Sequence, residues 1–450
     1  MGKKIENKHL VSIISLGCPK NFVDTEIAAG SLLCGGHGIT GDAEEADVML
    51  INTCAFIDTA RKESIDVIRK AVSWKKRAPG RKLVVSGCLV EWNGTESVRA
   101  KFPEVDLWTR IDSVEQMGKL LSDMDGAEKL QPKKNPCYLY DDKTARLQLT
   151  PEHYAYIKIA DGCDNRCAYC SIPNIRGNLR SRTADSVVKE ARNLIENGVK
   201  ELIVIAQDTT AFRRDKGEKN AFAKLIRKLD RFDGEYLIRL MYLHPASVTD
   251  ELAETLAETE HLARCVEMPI QHISDRILLS MGRRAGETAV REAVRKIRET
   301  AKCAIRTTFM LGFPGETEED FKKLEEFVQE QRFARLGAFC YSPEAGTPAA
   351  GFPNQVPRKL AQARYERIME IQNAVSLAAN KALKGKEIRV LTDSVKGGKG
   401  TGRTELDAPG IDNGVILKKC PKGLTPGSFI RARVTEAKAY DITAEYIGEA

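Results

Sequence analysis

Three closely spaced cysteines lie on one short segment of the 450-residue chain. Cys163, Cys167 and Cys170 have the spacing C-x3-C-x2-C and directly follow a predicted β-strand. Three thiolates on one loop can ligate three irons of a cubane 4Fe–4S cluster, which leaves the fourth iron open for chemistry. Zinc sites favour a second, distant pair of cysteines or histidines. We therefore predict a cluster here; a structural zinc loop and three unrelated core cysteines are the alternative interpretations.

Three further cysteines are far apart in the sequence, but each follows a predicted strand. Cys18, Cys54 and Cys88 lie in the segments Leu-Gly-Cys-Pro-Lys-Asn, Asn-Thr-Cys-Ala-Phe-Ile and Ser-Gly-Cys-Leu-Val. Because parallel strands bring their carboxyl ends to one edge of a sheet, these thiols are expected to meet there and hold a second cluster. The alternative is that each is a small buried side chain. The remaining cysteines lack cluster spacing and are expected in the core or on the surface: Cys34, Cys137, Cys265, Cys303, Cys340 and Cys420.

The elements that must position these cysteines fall into three parts. Short apolar strands alternate with helices over residues 8–125, which predicts a parallel α/β domain. After a Lys-, Pro- and Asn-rich linker at 126–150, six strand–helix units over 151–382 predict a partial (βα)6 barrel, with active residues at the carboxyl ends of the strands. Residues 383–450 contain short β runs separated by glycine turns, which predicts a small antiparallel β-barrel.

Composition excludes several classes of protein. With 42% hydrophobic and 30% charged residues the chain can bury cores, so a wholly disordered chain is excluded. No apolar run approaches the roughly 20 residues of a membrane span. The N-terminus lacks the apolar segment and cleavage site of a signal peptide, so a cytoplasmic location without membrane contact is expected. The formal net charge of +7 permits a nucleic-acid or ribosomal partner without requiring one.

The loop from Ala160 to Ser171 resembles the signature of the radical S-adenosylmethionine (SAM) enzymes. The resemblance implies that the open iron binds the amino and carboxylate groups of SAM. It also implies that one-electron reduction cleaves SAM to a 5′-deoxyadenosyl radical, which abstracts a hydrogen atom from an unactivated carbon. The protein would bind, orient and shield that radical.

The two cysteine triads together resemble the methylthiotransferases, over nearly the whole chain. That family couples an N-terminal cluster domain, a radical SAM barrel and a C-terminal, OB-like TRAM domain. The resemblance implies that Cys18, Cys54 and Cys88 hold a second 4Fe–4S cluster, whose open iron carries a sulfur atom. One SAM molecule would methylate that sulfur, and a second would supply the radical that makes the substrate carbon accept the methylthio group.

The segments around the first two cysteines distinguish the branches of the family. Leu16–Asn21, with Asp24 and Glu26 following, and Asn52–Ile57 resemble the RimO-type branch. That branch modifies the β-carbon of an aspartate in small-subunit ribosomal protein S12. The alternatives are a MiaB-like enzyme acting on adenosine in tRNA and, more distantly, a non-catalytic iron–sulfur RNA-binding or scaffold protein. An electron donor such as flavodoxin is also expected.

Charge in the last domain gives a further expectation about the partner. Lys386 to Ala450 contain nearly balanced basic and acidic residues, whereas a module that grips a polyanion is expected to carry a stronger basic stripe. We therefore predict that this barrel docks a basic protein, with Glu405 and Asp407 in the contact, and that tRNA is the less favoured partner. The alternative is that these charges only solvate the surface.

Other candidate site residues lie beside the cysteine loop or on the barrel strands and the segments that follow them. Arg306 could pair with the carboxylate of SAM, and glycines permit close approach of the adenosyl group. His244 and His272 could equally be structural, and Arg176, Arg180 and Arg182 could bind substrate or SAM or simply be solvated. The predicted SAM-binding residues are Tyr169, Gln207, Gln271, His272, Arg306, Gly312 and Gly315.

Overall fold

The structure, a computed structural model, describes residues 8–124 and 136–450. The first part of the predicted linker, 126–135, lies outside the described residues. The chain divides into two compact units. The first, here called the cysteine unit, consists of Met1–Leu149, Ala160–Arg182 and Ser342–Ala350. The second, the barrel unit, consists of Thr150–Ile159, Thr183–Tyr341 and Gly351–Ala450.

Strands and helices alternate along most of the chain. The strands are β1 (Leu10–Ser15), β2 (Gly38–Thr40), β3 (Val48–Thr53), β4 (Lys82–Gly87), β5 (Leu107–Trp108), β6 (Tyr154–Lys158), β7 (Ala160–Asp161), β8 (Arg180–Ser181), β9 (Glu201–Ile205), β10 (Leu237–Leu240), β11 (Cys265–Glu267), β12 (Ala304–Leu311), β13 (Arg335–Cys340), β14 (Glu387–Lys396), β15 (Lys399–Arg403), β16 (Val415–Lys418), β17 (Phe429–Ala437) and β18 (Ile442–Glu449). The helices are α1 (Pro19–Cys34), α2 (Asp58–Lys76), α3 (Cys88–Glu91), α4 (Thr95–Arg99), α5 (Met117–Ser122), α6 (Ile172–Arg176), α7 (Ala184–Glu196), α8 (Ala221–Leu229), α9 (Asp250–Glu258), α10 (Asp275–Ser280), α11 (Glu287–Arg295), α12 (Glu318–Gln331) and α13 (Arg358–Lys381).

The cysteine unit contains a five-stranded sheet in the order β2-β1-β3-β4-β5. All of its neighbouring strands run parallel. Every residue of the central strand β3 is buried, as expected where helices cover both faces of a parallel sheet. The antiparallel pair β7–β8 brackets the loop that carries Cys163, Cys167 and Cys170. The predicted parallel α/β domain is therefore confirmed.

The barrel unit contains six barrel strands in two three-stranded parallel sheets, ordered β10-β9-β6 and β11-β12-β13. A single parallel bridge between Ile238 and Leu262 links the edge of the first sheet to the segment that leads into β11. Six strands joined in this way form the partial, open barrel that the sequence predicts. Their carboxyl ends share one edge, where a barrel of this type places its active residues.

The C-terminal part of the barrel unit is a closed barrel in the order β14-β15-β16-β18-β17. The barrel is antiparallel except for the pair β16–β18, which runs parallel. Its core consists of side chains such as Val390, Leu417 and Ile430. The predicted small β-barrel is thus confirmed, with one parallel pair that the sequence did not predict. Within the described residues, no α-helix has the length and apolarity needed to cross a lipid bilayer.

Candidate metal centre

Cys18, Cys54 and Cys88 lie at the carboxyl ends of three adjacent parallel strands. Cys18 follows β1 by three residues, while Cys54 and Cys88 directly follow β3 and β4. A Cβ atom placed on Gly17 would lie only 2.8 Å from the sulfur of Cys54, so the first two cysteine segments touch. Cys54 and Cys88 are buried, and Cys18 is half-buried. The structure therefore brings together the three thiols that are far apart in the sequence.

Two polar side chains tie these cysteine segments to one another. Asn21, fully buried on α1, donates from Nδ2 to the carbonyls of Leu16 at 2.7 Å and Thr53 at 3.2 Å. Ser64 on α2 accepts from the backbone N–H of Cys54 at 3.0 Å and donates to its carbonyl at 2.8 Å. These side chains hold the backbone on either side of the cysteines. Residue type alone did not single them out, because asparagine and serine have many other uses.

A left-handed glycine precedes the third cysteine of this set. Gly87 has φ +95°, and a Cβ atom there would lie 2.4 Å from the carbonyl oxygen of Thr53 and 2.3 Å from Oδ1 of Asn52. Only glycine fits this position without strain or steric clash. The close approach of β4 to β3 at this point directs Cys88 to the same edge as Cys54.

The chemistry of this donor set fits a cluster rather than a single ion. Burial raises the pKa of the Cys54 thiol, and it raises that of Cys88 to about 12 despite the opposing charge of Arg176. Metal coordination deprotonates such thiols outright. Among the described residues, no three His, Cys, Asp or Glu side chains converge closely enough to hold one metal ion. Three thiols around a cubane bind three different irons, so they need not converge on one point.

The second triad is held on a tightly constrained loop. The backbone N–H of Cys163 donates to the carbonyl of Gly177 at 3.1 Å, and that of Cys170 donates to the carbonyl of Cys167 at 3.0 Å. Asp164 accepts the backbone N–H of Leu179 at 3.0 Å. Cys163 and Cys170 are half-buried, and Cys167 is buried. The loop therefore presents three thiols of one short segment, as the spacing predicted.

Direct contacts join the two cysteine segments within the cysteine unit. Ser171, next to Cys170, donates to the carbonyl of Phe56, two residues after Cys54, at 2.9 Å. Arg176 on α6 donates to the sulfur of Cys88 at 3.3 Å. Arg176 is 2% exposed, so the interpretation of this residue as part of a solvated basic run is wrong.

The segment 342–350 also contacts both cysteine regions. The backbone N–H of Ala349 donates to the carbonyl of Ala168 in the second loop at 2.9 Å. Glu344 accepts the backbone N–H of Asp58 at 2.9 Å and pairs with Arg61 on α2. A short strap after the last barrel strand therefore fastens the loop to the helix that follows Cys54.

Two of the predicted SAM-binding glutamines lie just past the ends of barrel strands. Gln207 is half-buried and follows β9 by two residues. Gln271 is 8% exposed, has φ +75°, and exchanges backbone hydrogen bonds with Thr308 and Met310 of β12. Its Oε1 atom has no hydrogen-bond partner among the described residues. A strained backbone and an unpaired buried oxygen at this edge are features of a ligand contact.

Tyr169 is half-buried in the cysteine unit, between Cys167 and Cys170.

The candidate histidines and the predicted glycines make local contacts within the barrel unit. His244 and His272 are buried, and the Nδ1 atom of each accepts a backbone N–H two residues further along the chain, at 3.2 Å and 3.0 Å. Burial lowers the pKa of His244 to about 2 and that of His272 to about 3, so both rings are neutral. At Gly312, a Cβ atom would lie 2.4 Å from the Cβ of Ala361 on α13. Gly312 therefore makes room for a helix. Gly315 has φ +82° in the following turn.

Two charged residues that were predicted to bind SAM or a protein partner form ion pairs within the barrel unit. Arg306 is the third residue of β12, and it pairs with Glu267 at 2.8 Å and with Asp412 at 2.9 Å. Arg306 was predicted to pair with the carboxylate of SAM. It pairs instead with two carboxylates of the protein, near the beginning of β12. Asp407, predicted to dock a basic protein, is 2% exposed and pairs with Arg335 at 2.6 Å. The prediction was wrong for Asp407, because the loop packs Asp407 and Asp412 against barrel arginines; for the exposed Glu405 it stays a prediction.

Three consecutive parts of the chain match known protein-family models. Residues 10–110 match the model described as Uncharacterized protein family UPF0004. Residues 157–328 match the Radical SAM superfamily, and residues 385–447 match the TRAM domain. Together the three matches cover the five-stranded sheet, most of the open barrel and the closed barrel.

Curated relatives are similar over nearly the full length. The chain is 42% identical over 440 residues to "Ribosomal protein uS12 methylthiotransferase RimO" of Carboxydothermus hydrogenoformans, which covers 97% of this chain and 99% of that relative. It is 39% identical over 445 residues to the protein of the same name from Geotalea uraniireducens, covering 98% of this chain and 99% of that relative.

Among solved structures, the radical SAM methyltransferase TsrM from Kitasatospora setae shares the fold. Its form with cobalamin and a [4Fe-4S] cluster has a TM-score of 0.55 at 15% identity, covering 76% of each chain. Its form with tryptophan and a SAM analogue has a TM-score of 0.56 at 13% identity, covering 86% of this chain and 79% of that one.

Proposed function

The chain belongs to the family of ribosomal protein uS12 methylthiotransferases named RimO, and we propose that it is a transferase that adds a methylthio group to ribosomal protein uS12. The acceptor is the β-carbon of an aspartate. The observation that carries this function is the presence of both cysteine triads in one compact unit, joined by the hydrogen bonds of Ser171 and Arg176. A reaction that takes a radical from one centre and sulfur from another needs its centres to be neighbours.

Two 4Fe–4S clusters and SAM are the cofactors of this function. Cys163, Cys167 and Cys170 would hold the cluster that binds SAM, and the other triad would hold the second cluster. When bound, these groups supply hydrogen-atom abstraction and a sulfur atom for transfer. The protein contributes position and shielding: Cys54, Cys88 and Cys167 are buried, which limits access of water to the centres.

In this proposal, side chains just past the ends of the barrel strands contact SAM. Gln271 is the strongest candidate, because its buried Oε1 lacks a partner and its backbone is held in a left-handed conformation. Gln207 is the second barrel residue of the proposed set, and Tyr169 and Gly315 stay predictions from the sequence. His272, Gly312 and Arg306 are left out, since their side chains or their space serve the protein's own packing.

The closed C-terminal barrel contacts the ribosomal protein in this proposal. Its loop of residues 403–412 is excluded from most of the contact, because Asp407 and Asp412 pair with barrel arginines. Exposed apolar side chains elsewhere on the barrel, Ile416 and Ile447, are suited to a protein partner.

In this proposal an external one-electron donor such as flavodoxin reduces the clusters. A ribosomal substrate fits a cytoplasmic enzyme, in a compartment where thiols stay reduced.

The direct test is mass spectrometry of ribosomal protein uS12 after incubation with the anaerobically reconstituted, reduced protein and SAM. We expect one methylthio group on an aspartate, accompanied by formation of 5′-deoxyadenosine. The matched control is Cys54→Ala, which leaves the SAM-binding triad intact. It should still cleave SAM but transfer no methylthio group.

A parallel incubation with tRNA decides between the two branches of the family. Modification of adenosine in tRNA without any change in the ribosomal protein would contradict the proposed substrate. Intact SAM in every incubation would contradict radical chemistry altogether and would favour a non-catalytic iron–sulfur protein.

A further inference from the structure

We propose that Arg176 is a positioning residue that sets the reduction potential of the cluster held by Cys18, Cys54 and Cys88. The inference rests on the proposed function, because it requires that these three thiolates hold a cluster. Arg176 is the last residue of α6, the short helix that follows the second cysteine loop. Its side chain nevertheless reaches Cys88 of the first triad.

Four hydrogen bonds fix the guanidinium. Nη1 donates to the carboxylates of Asp24 at 2.6 Å and Asp161 at 3.0 Å. Nη2 donates to Oδ1 of Asn21 at 3.0 Å and to the sulfur of Cys88 at 3.3 Å. The side chain is 2% exposed. One nitrogen of the fork is thus held by carboxylates while the other is directed at the cysteine sulfur and its neighbouring amide.

An ion pair with two aspartates would not by itself require this orientation. The guanidinium is a rigid, planar fork, so the groups that hold one nitrogen determine where the other points. Here the second nitrogen points at Cys88 and at Asn21. Asn21 is in turn hydrogen-bonded to the backbone just before Cys18 and just before Cys54. The charge therefore contacts one cysteine of the first triad and the asparagine that is bonded to the other two cysteine segments.

A buried positive charge that donates a hydrogen bond to a cluster ligand has a defined electronic effect. Reduction adds one electron to the cluster, and the added negative charge is stabilised by hydrogen bonds to its sulfurs and by nearby cations. A low dielectric constant makes that stabilisation larger than in water. Arg176 should therefore raise the midpoint potential of this cluster. The segment that carries the second triad therefore also supplies this charge to the first cluster.

The test measures midpoint potentials by EPR during titration with dithionite, with one cluster present at a time. In the background Cys163→Ala, Cys167→Ala and Cys170→Ala, only the first cluster remains. Adding Arg176→Gln should shift its midpoint to a lower potential, and Arg176→Lys should restore part of the shift because it keeps the charge. In the complementary background, which lacks Cys18, Cys54 and Cys88, only the other cluster remains. We expect Arg176→Gln to shift the midpoint potential of that cluster by a smaller amount.

A matched control separates this effect from general damage to the unit. Arg110 is a buried arginine of the same unit whose ion pairs are with Glu91 and Asp112. Arg110→Gln should lower the melting temperature as Arg176→Gln does, but leave the midpoint of the first cluster unchanged. An equal midpoint shift in both arginine variants, or no shift in Arg176→Gln, would overturn the inference.

The unsubstituted chain offers a second readout that does not depend on a variant folding. With isotopically labelled arginine nitrogen, pulsed EPR of the reduced first cluster should show coupling to that nitrogen. Absence of the coupling in a chain with a fully formed first cluster would also overturn the inference. If no first cluster forms in the wild-type chain, it is the proposed function that fails, and the two failures are thus distinguishable.

Discussion

Buried arginines occur in both units of the molecule, but they have different neighbours. In the cysteine unit, Arg176 bonds to two aspartates and to a cysteine sulfur. In the barrel unit, Glu201 is fully buried between Arg239 at 2.6 Å and Arg403 at 2.5 Å. Arg403 comes from the closed C-terminal barrel and Glu201 from β9, so this second network fastens one barrel to the other.

The neighbours of a buried arginine determine what its charge contributes. A guanidinium balanced only by carboxylates can stabilise the packing of elements, and its removal leaves an unpaired charge. A guanidinium that also touches a metal ligand acts on the electronic state of the metal centre. The network of Glu201 is therefore expected to matter for stability, and that of Arg176 for redox chemistry. Substitutions in each unit test this separation of roles.

The largest expected effect comes from removing either cysteine triad. Replacing Cys163, Cys167 and Cys170 with alanine should lower iron content by about half, because the other cluster remains. Removing Cys18, Cys54 and Cys88 should also halve the iron, and should abolish methylthio transfer while SAM cleavage continues. Iron analysis and assay of 5′-deoxyadenosine check both outcomes.

A control in the barrel unit sharpens the contrast. Cys265 and Cys303 are buried cysteines of that unit, and replacing both with alanine should leave the iron content unchanged. Loss of all iron after removal of only one triad would show that the two sites do not form independently.

The next effect is on stability, through Glu201. Burial alone would raise the pKa of Glu201, but Arg239 and Arg403 outweigh it and hold that pKa below its ordinary value. Glu201→Gln leaves two buried guanidinium groups without their shared carboxylate, which should cost about 3–5 kcal/mol. Denaturant unfolding of the holoprotein measures the cost. Iron content at low temperature should stay at the wild-type value, and its loss would contradict the separation of roles.

The cysteines and the order of the domains could be predicted from the sequence because their signals are local. A spacing such as C-x3-C-x2-C depends on a single loop, and each cysteine of the other triad follows an apolar run that forms a strand. The parallel sheet then brings Cys18, Cys54 and Cys88 together without further information. The six barrel strands could also be predicted, because each contains a short apolar run.

Helix α1 was not predicted, because it lacks an amphipathic pattern. Lys20, Asp24 and Glu26 are buried on it beside apolar residues; Asp24 pairs with Arg176 and Glu26 with Arg146, both elsewhere in the cysteine unit. When the polar residues of a helix are buried as well, apolar and polar residues do not alternate with the helical period of 3.6 residues, so the sequence does not indicate the helix. The pairing of Asp407 with Arg335 was missed for a related reason. A charged residue with a distant partner cannot be distinguished, in sequence, from a solvated one.

A third effect, of intermediate size, is a loss of stability in mild acid that arises in the barrel unit. Burial, with nearby arginines contributing, lowers the pKa of His244 to about 2, and burial lowers that of His272 to about 3. The unfolded chain binds these protons near pH 6.5, whereas the folded chain binds them only at much lower pH. Their contribution is therefore present above pH 6.5 and is lost progressively as pH falls below it. Each histidine should cost about 2 kcal/mol between pH 7 and pH 5.

Chemical denaturation across this pH range measures the loss, and the variant His244→Gln/His272→Gln is the control. It should show a flatter dependence on pH than the wild-type chain, whatever its absolute stability. An unchanged slope in the double variant would assign the acid sensitivity to other groups, including those of the cysteine unit.

The smallest expected effect is at Glu405, two residues from the buried Asp407 and in the same loop. Glu405 is exposed, and its carboxylate accepts a hydrogen bond of 3.2 Å from the backbone N–H of Arg264. Glu405→Lys should change stability by less than about 0.5 kcal/mol and leave the KM for the ribosomal protein unchanged. Asp407→Asn, which leaves Arg335 with less charge compensation, should instead lower the melting temperature. A large rise in KM for Glu405→Lys at unchanged stability would place the docking surface on this loop. The charged residues of the barrel unit would then serve both structure and binding, whereas we expect them to serve structure alone.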